Sequence, residues 1–410
     1  MSSITEQLNL ITKLPSTPAH IIKSDEEAIQ VAHQLAAVFA KEAAQRDRNR
    51  QLPIKEVETY SQSGLWAITV PKSYGGAEVS YQTLSEIIKI ISAADPSLGQ
   101  LPQNHFVIVE HLVLDATESQ KKFFFDLVLK GARFGNAFSE KGSRTVAEFA
   151  TKIVADGEDY LVNGTKFFAT GALLAHWIPI VTVNDAGLPY LALVKQGTLG
   201  LTVINDWSSF GQRTTASGTV VIDNVRVPAE HVVPIFQAFA RPTVGGPVSQ
   251  FIQAAVDAGI AIAAINETIK YVRESARPWI DAKDIQRASD DPYTIQQLGD
   301  LKLRLHAAEA LLDRAAQKIS LAAANSNEAS VAAASIAVAE AKVLTTEVAL
   351  LATNKLFELS GTRSTLEEYN LDRHWRNART HTLHDPVRWK FHAIGNYYLN
   401  ETNPPRHPWI

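Results

Sequence analysis

A multidomain α+β chain, with a β-barrel-like unit set between an N-terminal helical region and a C-terminal helical bundle, is what the 410 residues predict. Three observations carry that prediction. Residues 25–130 place apolar side chains at helical spacing. Residues 131–235 break into short β-rich runs separated by turn signals. From Pro247 to Asn400 the helical spacing returns.

Each element has its own local reason. SDEEAIQVAHQLAAVFAKEAAQRD, residues 24–47, reads as one amphipathic helix, with Ser24 as its N-cap and acids in its first turn. A second helix is expected from Ser80 to about Ala94, stopped at Asp95-Pro96 because the residue before a proline disfavours helical backbone. KIVADGEDYLVNGTKFFATG, residues 152–171, gives strands broken by the turn signals DGED and NG. HWIPIVTVNDAGLPYLALV, residues 176–194, repeats the pattern with a turn at Asn184–Pro189, and GTVVIDNVRVP, residues 218–228, adds a further strand pair. The expected product is an antiparallel unit. Gln296–Ala323 and Ser330–Leu359 read as long, Ala-rich amphipathic helices, the second ended by Gly361 as C-cap. The Pro-rich tail ETNPPRHPWI, residues 401–410, is expected to be extended.

Composition narrows the function. The chain has no cysteine and one methionine, Met1. Folding physics does not forbid either residue, and methionine is a good core filler. What the two share is sulfur, so the omission points to a protein made when sulfur is scarce, and to a substrate from which sulfur is recovered. Without cysteine there is no disulfide, thiolate nucleophile or thiolate metal site. A net charge of −4 gives no electrostatic footprint for nucleic acid. No apolar run reaches the length of a membrane span, and the polar N-terminus shows no signal-peptide pattern, so a cytoplasmic protein is expected.

Several segments, in order, resemble the acyl-CoA dehydrogenase superfamily. Gly64-Leu65-Trp66, Val70-Pro71, Tyr74-Gly75-Gly76 and Asp95-Pro96-Ser97 are similar to its N-terminal signature. Asn163 to Gly171 is similar to its strand along the flavin, and Phe210-Gly211-Gln212-Arg213 with Val225-Arg226-Val227-Pro228 to the close of its β-domain. The resemblance implies an N-terminal helical domain over 1–130, a central β-barrel domain over 131–240 and a C-terminal four-helix bundle with its tail over 241–410. It also implies a homotetramer whose subunits complete one another's flavin sites.

The departures from that family point to chemistry. Its dehydrogenases use a carboxylate base near the C-terminus, in a Tyr-Glu-Gly-Thr-like motif. The matching stretch here is Thr380-His381-Thr382-Leu383-His384-Asp385-Pro386, with histidine where the glutamate is expected. The alternative base position reads Gly245-Gly246-Pro247-Val248-Ser249-Gln250, with no carboxylate. Arg379 to Pro386 instead resembles the superfamily's flavin-dependent monooxygenase branch, whose members include oxygenases of organosulfur compounds. That branch takes reduced FMN from a separate flavin reductase, adds O2 at flavin C4a and passes one oxygen atom from the hydroperoxide to the substrate. FAD stays open as the alternative flavin.

The resemblance assigns roles residue by residue. His384 would protect the hydroperoxide, with His381 in support; a histidine can donate or accept a proton near neutral pH. At i, i+3 the two should share a face. Thr170 would face the flavin ring, Asn136 would be the active-site asparagine, and His105 a substrate-side histidine. Phe168, Gly171 and Ser139 would border the flavin. Gly361 and Arg363 would form the phosphate loop, and Arg277 or Arg273 would reach a neighbouring subunit's flavin. Trp207, Phe168 and Trp279 could wall an apolar pocket. No metal site and no NAD motif are expected.

Three other readings remain at this point: an FAD-dependent acyl-CoA dehydrogenase with a relocated base, a flavin monooxygenase for a phenol or amino sugar, and a non-catalytic protein that kept the fold. If the sulfur-poor composition reflects supply, abundance in the native host rises when an organosulfur compound replaces sulfate as sole sulfur source. Quantitative proteomics of the two cultures checks this, and equal abundance removes the composition argument.

Overall fold

The computed structural model describes residues 12–14 and 17–410; the polar stretch 1–11 lies outside the described residues. The N-terminal region holds α1 (Asp25–Phe39), α2 (Ala43–Asn49), α3 (Ile54–Gln62), α4 (Tyr81–Ala94), α5 (Pro96–Gln100), α6 (Gln103–Asp115) and α7 (Glu118–Leu129). Ser24 caps α1, accepting from Glu27 N at 3.2 Å, and Ser80 caps α4 in the same way through Thr83 N. Asp95 ends α4 and caps α5, whose first residue is Pro96.

The single helix expected over 24–47 is interrupted by a 3-10 turn at Ala40–Glu42. Arg46 accounts for the break. Its buried guanidinium takes the Phe39 carbonyl at 2.5 Å and Asp95 Oδ2 at 2.9 Å, contacts that turn α2 inward.

Seven strands follow: β1 (Lys152–Asp156), β2 (Asp159–Lys166), β3 (Trp177–Val183), β4 (Pro189–Lys195), β5 (Leu201–Ile204), β6 (Thr219–Pro228) and β7 (Val232–Val233). Their order is β5-β6-β2-β1-β3-β4-β7. All neighbours are antiparallel except β1 and β3, which meet in parallel at Lys152 and Val183, so the sheet is mixed rather than wholly antiparallel. Ile153, Val162, Ile180, Val194, Ile222 and Val232, from six different strands, share one buried cluster, as in a sheet curled around its own core. The alternate residues of β3 and β4, Trp177, Val181, Leu191 and Leu193, face the other way and pack with Phe124 and Phe125 of α7.

Two turn signals resolve differently from expectation. Asn163-Gly164 is a bulge inside β2, where the pairing register with β6 shifts between Val162 and Gly164. A Cβ on Gly164 would lie 2.7 Å from Thr151 Cα, so the backbone approach requires glycine. GTVVIDNVRVP is one ten-residue strand, β6, not a pair; Asn224 absorbs a left-handed conformation (φ 50°) within it.

The C-terminal region holds α8 (Phe236–Ala240), α9 (Gly245–Glu274), α10 (Pro292–Ala324), α11 (Glu328–Ser360), α12 (Asp372–His381) and α13 (Arg388–Asn400). Asn327 and Ser330 form a capping box for α11, and Gly361 ends it at φ 76°. Contrary to the sequence expectation, α9 is long and apolar enough to cross a membrane, with mean hydropathy 1.6; 94% of that window is buried by the surrounding protein, so it is the bundle's central helix. The tail runs extended from Glu401 and then returns. Ile410 is buried against Ile336 and Ala393, and Gln250 Nε2 donates to the Pro408 carbonyl at 2.9 Å.

α9 and α4 approach closely in the helical core. A Cβ on Gly259 would lie 2.5 Å from Ser92 Cβ and 2.7 Å from the Lys89 carbonyl. Gly259→Ala therefore forces two helices apart and costs about 1–3 kcal/mol, despite alanine's better helix propensity. Chemical denaturation measures this, and a variant as stable as the parent would show that the helices separate freely.

Candidate active site

A cavity of about 70 Å³ lies where the start of α9, the end of α12, α6 and the sheet meet. His384, in the turn after α12, lines it together with His111 of α6, Asn136 and Ser139 of the segment before β1, and Trp409 of the tail. No aspartate or glutamate is among its lining residues.

The segment carrying Asn136 and Ser139 is held along β3. Phe134 and Ala137 bridge in parallel to Trp177 and Ile180, and Phe167 N donates to the Ser139 carbonyl at 2.8 Å. Lys166 Nζ, fully buried, pins the same segment through Glu140 at 2.7 Å and the Phe138 carbonyl at 3.0 Å. Burial lowers this ammonium to about 8, against the opposing pull of Glu140.

Next to the cavity the chain adopts a costly backbone. Phe168 has φ 56°, a left-handed conformation that costs an aromatic residue roughly 1–3 kcal/mol. Asn136 Nδ2 donates to its carbonyl at 3.2 Å and Thr170 N at 2.8 Å, which holds the turn. The result is a half-exposed Phe168 ring packed edge-on to Trp207 at 6.0 Å. Thr170 shares a hydroxyl ladder with Ser217 (2.8 Å) and Thr215 (2.7 Å), and Gly171 turns the chain at φ 72°.

His381 and His384 do not share one face. His384 keeps about a third of its side chain exposed, with Nδ1 3.2 Å from Asp385 Oδ1. His381 turns into the bundle, fully buried, with Nδ1 2.5 Å from Asp257 Oδ1 of α9. Burial lowers its pKa, opposed by the Asp257 carboxylate. Asp257 itself would be raised by burial, yet Lys342 and His381 bring it down to about 2. His381 Nε2 is buried without a partner.

The substrate-side role expected for His105 is not what the structure shows. His105 is fully buried and absent from the cavity wall; Nε2 lies 2.7 Å from the Trp66 carbonyl, and Nδ1 accepts from Phe134 N at 3.0 Å. Both ring nitrogens are committed to backbone, so the residue ties α6 to the strand-like segment. Burial lowers it to about 3, which keeps the ring neutral.

Arg363, Arg273 and Arg277 lie apart from the cavity wall. Arg363 stacks at 5.8 Å on Tyr369, which packs on Tyr271 of the α9 end that carries Arg273. All three are exposed, and none has a side-chain hydrogen bond or ion pair among the described residues. Trp279 is 71% exposed and does not join Phe168 and Trp207. Sequence reading missed His111, Asp257 and Trp409. The first two carry no local signal on their helices, whereas a tryptophan next to the chain end could have been noticed.

Fold and site together define a class: the chain belongs to the acyl-CoA dehydrogenase family, whose N-terminal, middle and C-terminal domains match residues 24–132, 136–225 and 251–389. Within it, the chain is 33% identical over 396 residues to dibenzothiophene monooxygenase of Mycolicibacterium goodii, covering 92% of this chain and 95% of that one. FMN-bound TdsC from Paenibacillus sp. A11-2 superposes with a TM-score of 0.89 at 30% identity, over 93% of this chain and 100% of that one. Methanesulfinate monooxygenase MsuC from Pseudomonas fluorescens superposes with a TM-score of 0.87 at 28% identity, over 93% and 99%.

Proposed function

We propose that this chain is a monooxygenase that uses reduced FMN and O2 to oxygenate an organosulfur compound, so that the cell recovers its sulfur. One observation carries the reading: the cavity at the α9–α12 junction is lined by histidines and amides and by no carboxylate. A dehydrogenase needs a carboxylate there to take the substrate's α-proton. The monooxygenase relatives, the FMN-bound neighbour and the sulfur-poor composition support the same reading.

The residues present fit a flavin mononucleotide. Arg363 is an unpaired cation beside the turn that follows α11, suited to a phosphate. Phe168 and Trp207 offer ring faces, and Thr170 and Asn136 offer polar groups beside them. When bound, reduced FMN supplies the two electrons with which O2 is split between product and water. The protein's part is to bind, orient and exclude water. Trp409 packs edge-on against Phe138 at 5.7 Å and closes the cavity on the tail side. His384 places a ring nitrogen on the cavity wall, where it can hold or deliver a proton.

A separate flavin reductase supplies the cofactor by diffusion, which places the enzyme in the cytoplasm. Assembly as a homotetramer, with Arg277 or Arg273 reaching a neighbour's flavin, belongs to this reading. Its support is the exposure of Trp389, Phe391, Leu399 and Ile280, large apolar side chains on the bundle's outer surface.

Arg363→Ala should weaken reduced-FMN binding without unfolding the protein. A charge-assisted contact contributes about 1.5–3 kcal/mol, so affinity falls roughly ten- to a hundredfold. Anaerobic titration beside a thermal melt reads it; unchanged affinity would place the phosphate elsewhere.

His384→Ala should uncouple the enzyme. Flavin binding persists, while hydrogen peroxide per reduced FMN consumed rises and oxygenated product falls. Dibenzothiophene and methanesulfinate serve as probes. A variant as well coupled as the parent would refute the role of His384, and a parent that reduces dyes with acyl-CoA but oxygenates neither probe would refute the function.

A further inference from the structure

The histidine that ends α12 and the one in the turn after it, His381 and His384, are each paired with a buried carboxylate. Asp257 turns Oδ1 to His381 Nδ1 at 2.5 Å and Oδ2 to Lys342 Nζ at 2.8 Å. Asp385 turns Oδ1 to His384 Nδ1 at 3.2 Å, and its buried Oδ2 faces Lys390 Nζ in a looser ion pair at 3.3 Å, without a hydrogen bond. All four charged groups are at most 2% exposed. Thr346 Oγ1 adds a further donor to Asp257 at 3.1 Å. The arrangement joins α9, α11, α12 and α13.

We propose that Asp257 and Asp385 are positioning residues for the oxygenation, each fixing its histidine with the proton on Nδ1, so that His384 on the cavity wall is left with Nε2 as its working nitrogen and His381 anchors the turn that carries it. The inference rests on the monooxygenase reading for its chemistry, but not for its geometry.

An ionised carboxylate only accepts, so an imidazole nitrogen that meets one must carry the proton. Both carboxylates are ionised: burial would raise them, but their lysine and histidine neighbours hold both below the usual carboxylate range. The lysines thereby decide where a proton can rest. A proton arriving at Nε2 makes an imidazolium that stays paired with its carboxylate, and the carboxylate does not take the proton itself. Splitting O2 between substrate and water, with two electrons and two protons from the reduced flavin, requires that the departing oxygen be protonated. A histidine on the cavity wall that takes and returns a proton at Nε2 serves that step. Buried His381, off the cavity wall, is held in the same way, and its Nε2 has no partner among the described residues.

The test pairs a structural signature with turnover. Nitrogen-15 histidine spectra, assigned with His381→Gln and His384→Gln, report the tautomer directly. In the parent enzyme both rings should show Nδ1–H. In Asp385→Asn, whose amide can present either a donor or an acceptor, the His384 signal should move toward the other tautomer. Product per reduced FMN consumed should then fall at least about fivefold, with peroxide rising to match. Asp257→Asn leaves Lys342 buried without its anion, so the paired variant Asp257→Asn/Lys342→Met, which removes both charges, is made beside it. It should shift the His381 signal in the same way. A parent spectrum with Nε2–H rings, or variants with unchanged tautomers and unchanged coupling, would overturn the proposal. A parent that shows both Nδ1–H rings yet oxygenates neither dibenzothiophene nor methanesulfinate would refute the monooxygenase reading and leave the tautomer assignment standing, so the two failures are distinct.

Discussion

Burying the Asp257 carboxylate at the centre of a thirty-residue apolar helix is the constraint on which the bundle is arranged. A charge taken out of water and left unpaired costs several kcal/mol, and removing one partner of a buried pair typically costs about 3–5. α9 therefore cannot pack at Asp257 unless α11 brings Lys342 and α12 brings His381 to the same point. Hydrophobic burial is tolerant of small shifts, but a 2.5 Å contact and a 2.8 Å contact on one carboxylate are not. The end of α12 is fixed as a result. The turn that follows, closed by His384 N to the His381 carbonyl at 3.0 Å, is fixed with it, and His384 falls on the cavity wall.

The opposite wall is fixed by a different economy of contacts. Arg133, fully buried, reaches Glu58 at 2.8 Å, Ser61 at 2.7 Å and the Leu174 carbonyl at 2.9 Å, and so joins α3, the turn before β3 and the segment that leads to Asn136. His105 and His176 accept from the backbone N–H groups of Phe134 and Arg133, one from each side. These groups hold residues 133–139 as an extra run beside β3. The strained Phe168 turn is stable because that run is rigid: the Asn136 amide can hold the Phe168 carbonyl only if Asn136 itself does not move. His105, expected from the sequence on the substrate side, thus supports the cavity wall from behind, and His176 does the same from the other side.

What could be read from the sequence follows from how local each cause is. Ser24, Ser80, Asp95-Pro96 and Gly361 act within four residues of themselves, and the helix ends they announce are where they should be. Asn163-Gly164 was misread because the pair reports only a tolerance for unusual backbone, which a bulge uses as readily as a turn. The α1 break was invisible because its cause, Asp95, lies 49 residues from Arg46. Asp257 pairs with groups 85 and 124 residues away, and its neighbours in sequence are apolar, so nothing local separated it from an ordinary polar interruption. His384 and Asn136, singled out through family resemblance, line the cavity; His105, singled out by the same means, is buried against backbone, because resemblance transfers a position and not the direction of a ring.

The loss of the dehydrogenase base is a stronger argument than the presence of any histidine, and it survives a close look at Asp385. That residue is a carboxylate in the very stretch where the family's base is expected, and a sequence reader could take it as a base shifted by one position. The structure argues otherwise on two grounds. Asp385 is buried and is not on the cavity wall. Although burial would raise it, the His384 contact and the charges of Lys342 and Lys390 hold it well below the usual carboxylate range. A group that holds protons so weakly is a poor acceptor for a carbon acid, because general-base efficiency rises as the base's pKa approaches the working pH. The carboxylate has kept its charge and lost its access, and the imidazole beside it has the access. On this fold, that exchange leaves the cavity wall with an imidazole and no accessible carboxylate to abstract a proton.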